Sequence, residues 1–137
     1  MSRADRISPK QKAVLYSDFL NNLEQNPVTG FLARVTNVEA VKQSIRNLVL
    51  TNVNERPYQP YIGSKIRTLL FDPIDSITEE TLRLTIEETV RQEPRAQLSH
   101  IKIEGDPTFN GYLVTIVFSM INIPEQISLS IILRKVR

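Results

Sequence analysis

Gly111-Tyr112-Leu113-Val114-Thr115-Ile116-Val117-Phe118-Ser119-Met120 and, after Asn122-Ile123-Pro124-Glu125, Gln126-Ile127-Ser128-Leu129-Ser130-Ile131-Ile132-Leu133-Arg134 read as two successive β-strands. Side chains of a strand alternate between its faces, so period-two patterning separates inside from outside. Tyr112, Val114, Ile116, Phe118 and Met120 share one face of the first strand. Its other face mixes Leu113, Thr115, Val117, Ser119 and Ile121. In the second strand Ile127, Leu129, Ile131 and Leu133 point inward, opposite Ser128, Ser130 and Arg134. Asn122–Glu125 is the expected turn between them. Upstream, Ile101 and Ile103 alternate with His100, Lys102 and Glu104, and Gly105-Asp106-Pro107 with Asn110-Gly111 bracket a hairpin loop. The C-terminal part is therefore expected to be an antiparallel three-strand meander.

The preceding sequence changes to helical period. Ser76 and Glu79 have capping-box spacing ahead of the stripe Leu82, Ile86, Val90, and Pro94 stops that helix. Thr36 and Glu39 have the same spacing ahead of Val38, Val41, Ile45 and Leu48, a helix expected to end near Thr51-Asn52. Between the two helices lies a loop over 52–62, in which Pro57 and Pro60 each remove a backbone donor and disfavour a helical residue before them. Gly63-Ser64 opens a short helix burying Ile66, Leu69 and Leu70. Further upstream, Phe31–Val35 fits a short strand. Residues 12–23 carry both helical spacing and helix-weakening Asn21-Asn22, and residues 1–12 read as a polar arm. The expected fold is α+β: two or three helices packed on one face of the meander, with an N-terminal arm and an extra short strand. Residues 1–37 are assigned to the arm and short segment, a region suited to being partner-bound, and 38–137 to a single domain.

At 137 residues one domain with one core is expected. Seventeen Lys and Arg against fifteen Asp and Glu give a net charge of +2, too small and too dispersed to argue for nucleic acid. Absence of Cys removes disulfide and thiolate chemistry and fits a reducing compartment. No apolar run reaches the roughly 18 residues of a membrane span, and Met1–Arg6 is not followed by a signal-peptide core, so synthesis in the cytosol is expected. One His and no Cys argue against a structural zinc site, and four Gly leave no phosphate-binding fingerprint.

Enzymatic chemistry has one opening here, a carboxylate pair of the glycosidase kind among Glu87, Glu88, Glu93, Glu104 and Asp106. Fifteen acidic residues make some pair inevitable, so the pattern has little specificity. Two other segments stand out. Arg56-Pro57-Tyr58-Gln59-Pro60-Tyr61 fixes an extended loop whose tyrosines, read simply, cover the core. Glu93-Pro94-Arg95 holds opposite charges beside a proline; local physics favours pairing within the fold, and an interface contact is the alternative.

These segments carry a resemblance. The helix through Ile45-Arg46-Asn47-Leu48-Val49-Leu50-Thr51, the Arg56-Pro57-Tyr58-Gln59-Pro60 segment, Gly63, Leu70-Phe71 and Glu93-Pro94-Arg95 before the strands follow the order and spacing of the baseplate wedge and sheath-initiator family of contractile phage tails and related injection and type VI secretion machines. The match runs from Val41 to the C-terminus. It departs from the family pattern where Asn54-Glu55, rather than a glycine, precede Arg56, and where Ile62, rather than an aromatic, precedes Gly63. The resemblance implies a structural protein of the virion tail, assembled in the host cytoplasm and present in several copies around the tail tube. It implies tail sheath protein, other wedge subunits and the tube as partners, with no cofactor, no metal, no membrane and no nucleic acid. Sheet edges offered to the first sheath ring are its implied means of action. Arg56, Glu93, Pro94, Arg95, Ser128, Ser130, Arg134 and Lys135 are the implied partner-binding residues. The competing expectations are a peptidoglycan-cleaving glycosidase and a small basic nucleic-acid-binding module.

Overall fold

The computed structural model describes residues 16–135. The expected polar arm, Val136 and Arg137 therefore lie outside the described residues. Two short strands come first, β1 (Ser17–Phe19) and β2 (Arg34–Thr36), paired antiparallel. Helix α1 (Asn37–Leu50), the single turn α2 (Ile66–Leu69) and helix α3 (Ser76–Val90) follow. The chain ends in a meander of β3 (Ala96–Asp106), β4 (Gly111–Met120) and β5 (Ile123–Arg134), in the spatial order β3-β4-β5. The α+β expectation holds: three helices cover one face of an antiparallel sheet. The extra strand forms at Arg34–Thr36, at the end of the expected Phe31–Val35 segment, and its partner Ser17–Phe19 lies in the stretch of mixed signals.

The core sits between the helices and one sheet face. Val41, Ile45 and Val49 of α1, Ile66 and Leu70 around α2, and Leu82, Ile86 and Val90 of α3 close over Tyr112, Val114, Ile116, Phe118 and Met120 of β4. Ile127, Leu129, Ile131 and Leu133 of β5 complete it, as the alternation predicts. Burial of each large side chain contributes about 1.5–3 kcal/mol, which makes β4, buried along its whole inner face, the strand on which the domain depends. Helix α3 packs along β3, whereas α1 lies toward β5 and the N-terminal strands.

Both capping boxes differ from expectation. At α3 the N-cap is Asp75, one residue earlier than Ser76; its carboxylate accepts from Thr78 N at 2.7 Å. Glu79 instead accepts from Gly105 N at 3.1 Å, tying α3 to the end of β3. At α1, Thr36 makes no side-chain cap bond. Asn37 takes φ +49° and exchanges hydrogen bonds with the Tyr16 backbone, so the helix start is joined to β1 rather than capped by Thr36. The β4–β5 turn is also shorter than expected. Met120 pairs with Ile123 and Ser119 with Gln126, leaving Pro124 and Glu125 as a bulge within β5. Proline is tolerated there because a bulge on an edge strand needs no ladder donor.

A candidate partner-binding surface

Glu93, Pro94 and Arg95 form the best-defined polar cluster. After α3 ends at Val90, Glu93 N still donates to Val90 O at 3.0 Å, and the chain turns at Pro94 into β3. Glu93 is 4% exposed. Its carboxylate receives Arg95 Nε at 2.7 Å, Arg95 Nη2 at 2.9 Å and Arg95 N at 3.2 Å, and the hydroxyl of Ser44 on α1 also donates to it. Burial by itself would push this carboxyl upward. The bonds from the Arg95 side chain, Ser44 and the Arg95 amide together outweigh that, so it sits below the usual glutamate range. The Glu93 hydrogen bond in turn raises Arg95.

From this knot Arg95 reaches outward. Its guanidinium stacks over the Tyr16 ring at 5.4 Å, and Arg95 O accepts from Ile121 N at 3.3 Å. The Tyr16 hydroxyl accepts from Asn122 at 3.1 Å. Three separate parts of the chain thus meet at one ion pair: α1 through Ser44, the N-terminal strands through Tyr16, and the β4–β5 turn through Ile121 and Asn122. The Glu93 carboxylate is thus buried and hydrogen-bonded within the fold, the pairing that local physics favours. Exposed Pro94 and the Arg95 side chain, 28% exposed, are the parts of this motif a second protein can touch.

The second region is the outer edge of β5. Gln126–Arg134 pair with β4 in nine consecutive register positions without interruption, and among the described residues β5 has no partner on its other side. Ser128, Ser130 and Arg134 are exposed and Lys135 is half-buried, its amide bonded to Asn110 O at 2.8 Å. Ser128, Leu129 and Ser130 line an open groove of about 410 Å³ together with Glu39, Lys42, Gln43 and Arg46 of α1, Val35 of β2 and Leu20–Asn22.

Arg56 lies apart from both, on an exposed loop. The expectation that the loop tyrosines cover the core is wrong: Tyr58 is 98% and Tyr61 72% exposed. The loop closes on itself through Asn54 N to Pro60 O at 2.6 Å and Ile62 N to Gln59 O at 3.2 Å, which turns both rings outward.

Of the candidate carboxylates, Glu87 and Glu93 line one groove between α3 and β3. Glu87 pairs with Arg83 and Arg91, Glu104 with Lys102, and Asp106 accepts from Thr108. The Thr108 hydroxyl and amide lower Asp106, as the knot lowers Glu93, opposite to the raised carboxyl of a general acid. His100 is exposed on β3, and Glu88 on α3.

Ser44, Tyr16 and Asn122 were not singled out from sequence. Ser44 had a visible signal, a small polar residue beside the apolar stripe of α1, but its partner is 49 positions away.

Comparison with known proteins agrees with this architecture. A candidate tail lysozyme of Geobacter sulfurreducens superposes with a TM-score of 0.68 at 20% identity, over 72% of this chain and 91% of the other. A chain of the anti-feeding prophage baseplate superposes at 0.61 with 23% identity, over 89% and 87%. At these identities both likenesses concern the fold. By sequence, the baseplate wedge protein gp25 of Enterobacteria phage T4 is 28% identical over 99 residues, 70% of this chain and 74% of that protein. The family model described as baseplate wedge protein gp25 matches residues 35–123, and the chain belongs to that family.

Proposed function

We propose that this baseplate wedge protein starts the tail sheath by accepting a β-strand from the first sheath subunit along the outer edge of β5. The observation that carries this reading is the uninterrupted stretch Gln126–Arg134, which has no second strand beside it among the described residues. An edge strand leaves alternate backbone donors and acceptors unpaired, and an added strand satisfies them with no side-chain rearrangement. Ser128 and Ser130 keep the middle of the outer face small, ahead of exposed Ile132, and the groove against α1 leaves room for the side chains of an incoming strand. Arg134 and Lys135 mark the end of the edge with positive charge. Pro94 and Arg95 serve as a contact to neighbouring wedge subunits, with Glu93 holding Arg95 in place. The protein acts in several copies around the tail tube.

The test is a seeding assay with the sheath protein of the same genome, added to tube–baseplate complexes and counted by electron microscopy. Complexes carrying the wild-type chain are expected to start sheath; those carrying the Ser128→Lys/Ser130→Lys double variant are not, because edge lysines oppose strand addition. Equal sheath initiation by the double variant overturns the reading.

A further inference from the structure

The loop–α2 face, on the segment from Asn52 to Phe71, has a rigid backbone and an exposed apolar groove. Its backbone is pinned from several sides. Asn52 bridges Ser64, Asn52 N donates to Glu55 at 2.7 Å, and Ser64 Oγ donates to Val49 O at 2.8 Å. The Gln92 side chain clamps Gly63 at both its N–H (3.1 Å) and its C=O (2.9 Å). Gly63 has φ +128°, and a Cβ there would lie 2.6 Å from Thr51 O, so the close approach requires glycine.

This rigid frame holds apolar groups in water. Phe71 is 55% exposed and, with Val53 and Thr68, lines a groove of about 330 Å³. Lys65 and Arg67 flank that groove, and no carboxylate lines it. Among the described residues, the side chains of Arg56, Lys65 and Arg67 take part in no ion pair or hydrogen bond, whereas Glu55 is turned onto Asn52 N. Exposed aromatic rings on a fixed backbone, beside unpaired cations, are the composition of an interface anchor: large contact area at small ordering cost, with charge to orient it.

We infer that this face binds an acidic segment of a second baseplate protein, one apolar side chain entering the Val53–Phe71 groove and neighbouring carboxylates meeting Lys65 and Arg67. The partner being a baseplate protein rests on membership in the wedge family, not on the sheath-starting role of β5. A second copy of this chain is the competing occupant, and the experiment separates the two.

The experiment co-expresses this chain with the remaining baseplate proteins of the same tail and measures its incorporation into the purified complex. Lys65→Glu/Arg67→Glu is expected to lower incorporation about tenfold or more, and Phe71→Ala to a similar degree, as for anchors of an interface. The charge-conserving Lys65→Arg/Arg67→Lys pair is expected to incorporate normally. Raising salt from about 50 mM to about 500 mM is expected to weaken incorporation of the wild type more than of the charge-reversed variant. The changed side chains are exposed or line an open groove, so melting temperatures report whether folding is intact. Wild-type incorporation of the charge-reversed variant overturns the inference, as does equal loss in the charge-conserving pair, which would show packing rather than charge. Self-association of the isolated chain that Phe71→Ala abolishes would also overturn it, in favour of a second copy. The Ser128→Lys/Ser130→Lys variant, run in parallel, is expected to incorporate normally and fail only at sheath initiation, which separates the two surfaces.

Discussion

The two edges of the meander look equivalent in topology and differ in detail. Strand β3 pairs with β4 over Ala96–Leu98, skips Ser99, and resumes at His100. Strand β5 carries its irregularity at Pro124-Glu125 and then pairs through nine positions. A bulge twists an edge and breaks the regular spacing an incoming strand must match. The groove beside β3 is the larger, about 850 Å³ against about 410 Å³, but its strand is the interrupted one and α3 lines it with the Arg83–Glu87–Arg91 ion-pair ladder. Under the proposed strand addition, regularity of the backbone rather than size of the opening favours β5 over β3.

The largest effect expected is on assembly. Ser128→Lys/Ser130→Lys should abolish sheath initiation while shifting stability by no more than about 0.5 kcal/mol, as for other exposed sites. The mirror-image change at the interrupted edge, Ser99→Lys, should leave initiation unchanged; loss of initiation there would break the comparison. Deleting β5 is not a substitute, because Ile127, Leu129, Ile131 and Leu133 belong to the core and the truncated chain should not fold.

The edges should also differ in what their inner faces contribute. Ile131→Ala should cost about 3 kcal/mol by urea denaturation, and Ile103→Ala, half-buried on β3, about 1 kcal/mol. Comparable costs would show that the two strands share the core equally.

Glu93 joins the N-terminal strands, α1 and the β4–β5 turn. Glu93→Ala should cost about 2–3 kcal/mol, below the full cost of stranding a buried charge because Arg95 retains some access to water. Its folded carboxyl lies below the unfolded value of about 4.3, so the stability it supplies is complete above that pH and is lost as pH falls through the folded value. The gap between wild type and Glu93→Gln should therefore shrink from pH 7 to about pH 3. A gap that widens on acidification would contradict the assignment.

The smallest effect concerns the helices backing each edge. Asp75→Ala should lower stability measurably through loss of the α3 cap, whereas Thr36→Ala at α1 should be near neutral. Thermal melts of the two variants check the contrast.

The alternation in β4 and β5 makes the inner face legible in the sequence, because each strand buries one face against the helices. Ser99 left no comparable mark: a bulge adds one residue without altering composition. Asp75 and Ser76 are both capping types in adjacent positions, and only backbone geometry selects between them. At Thr36 the helix start answers to Tyr16, 20 positions away, a tertiary contact that local spacing does not encode. Tyr58 misled because an aromatic between prolines suits a lid over the core as well as an outward anchor, and the choice lies in how the loop closes on Pro60. The Glu93–Arg95 pairing followed from adjacency, whereas Ser44 and Tyr16 joined it only through the fold.

Hydrogen exchange at the two edges tests the central claim most directly. In tube–baseplate complexes before and after sheath addition, amides in Gln126–Arg134 are expected to gain strong protection while those in Gln97–Glu104 stay unchanged. Protection appearing along Gln97–Glu104, or at neither edge, would contradict strand addition at β5.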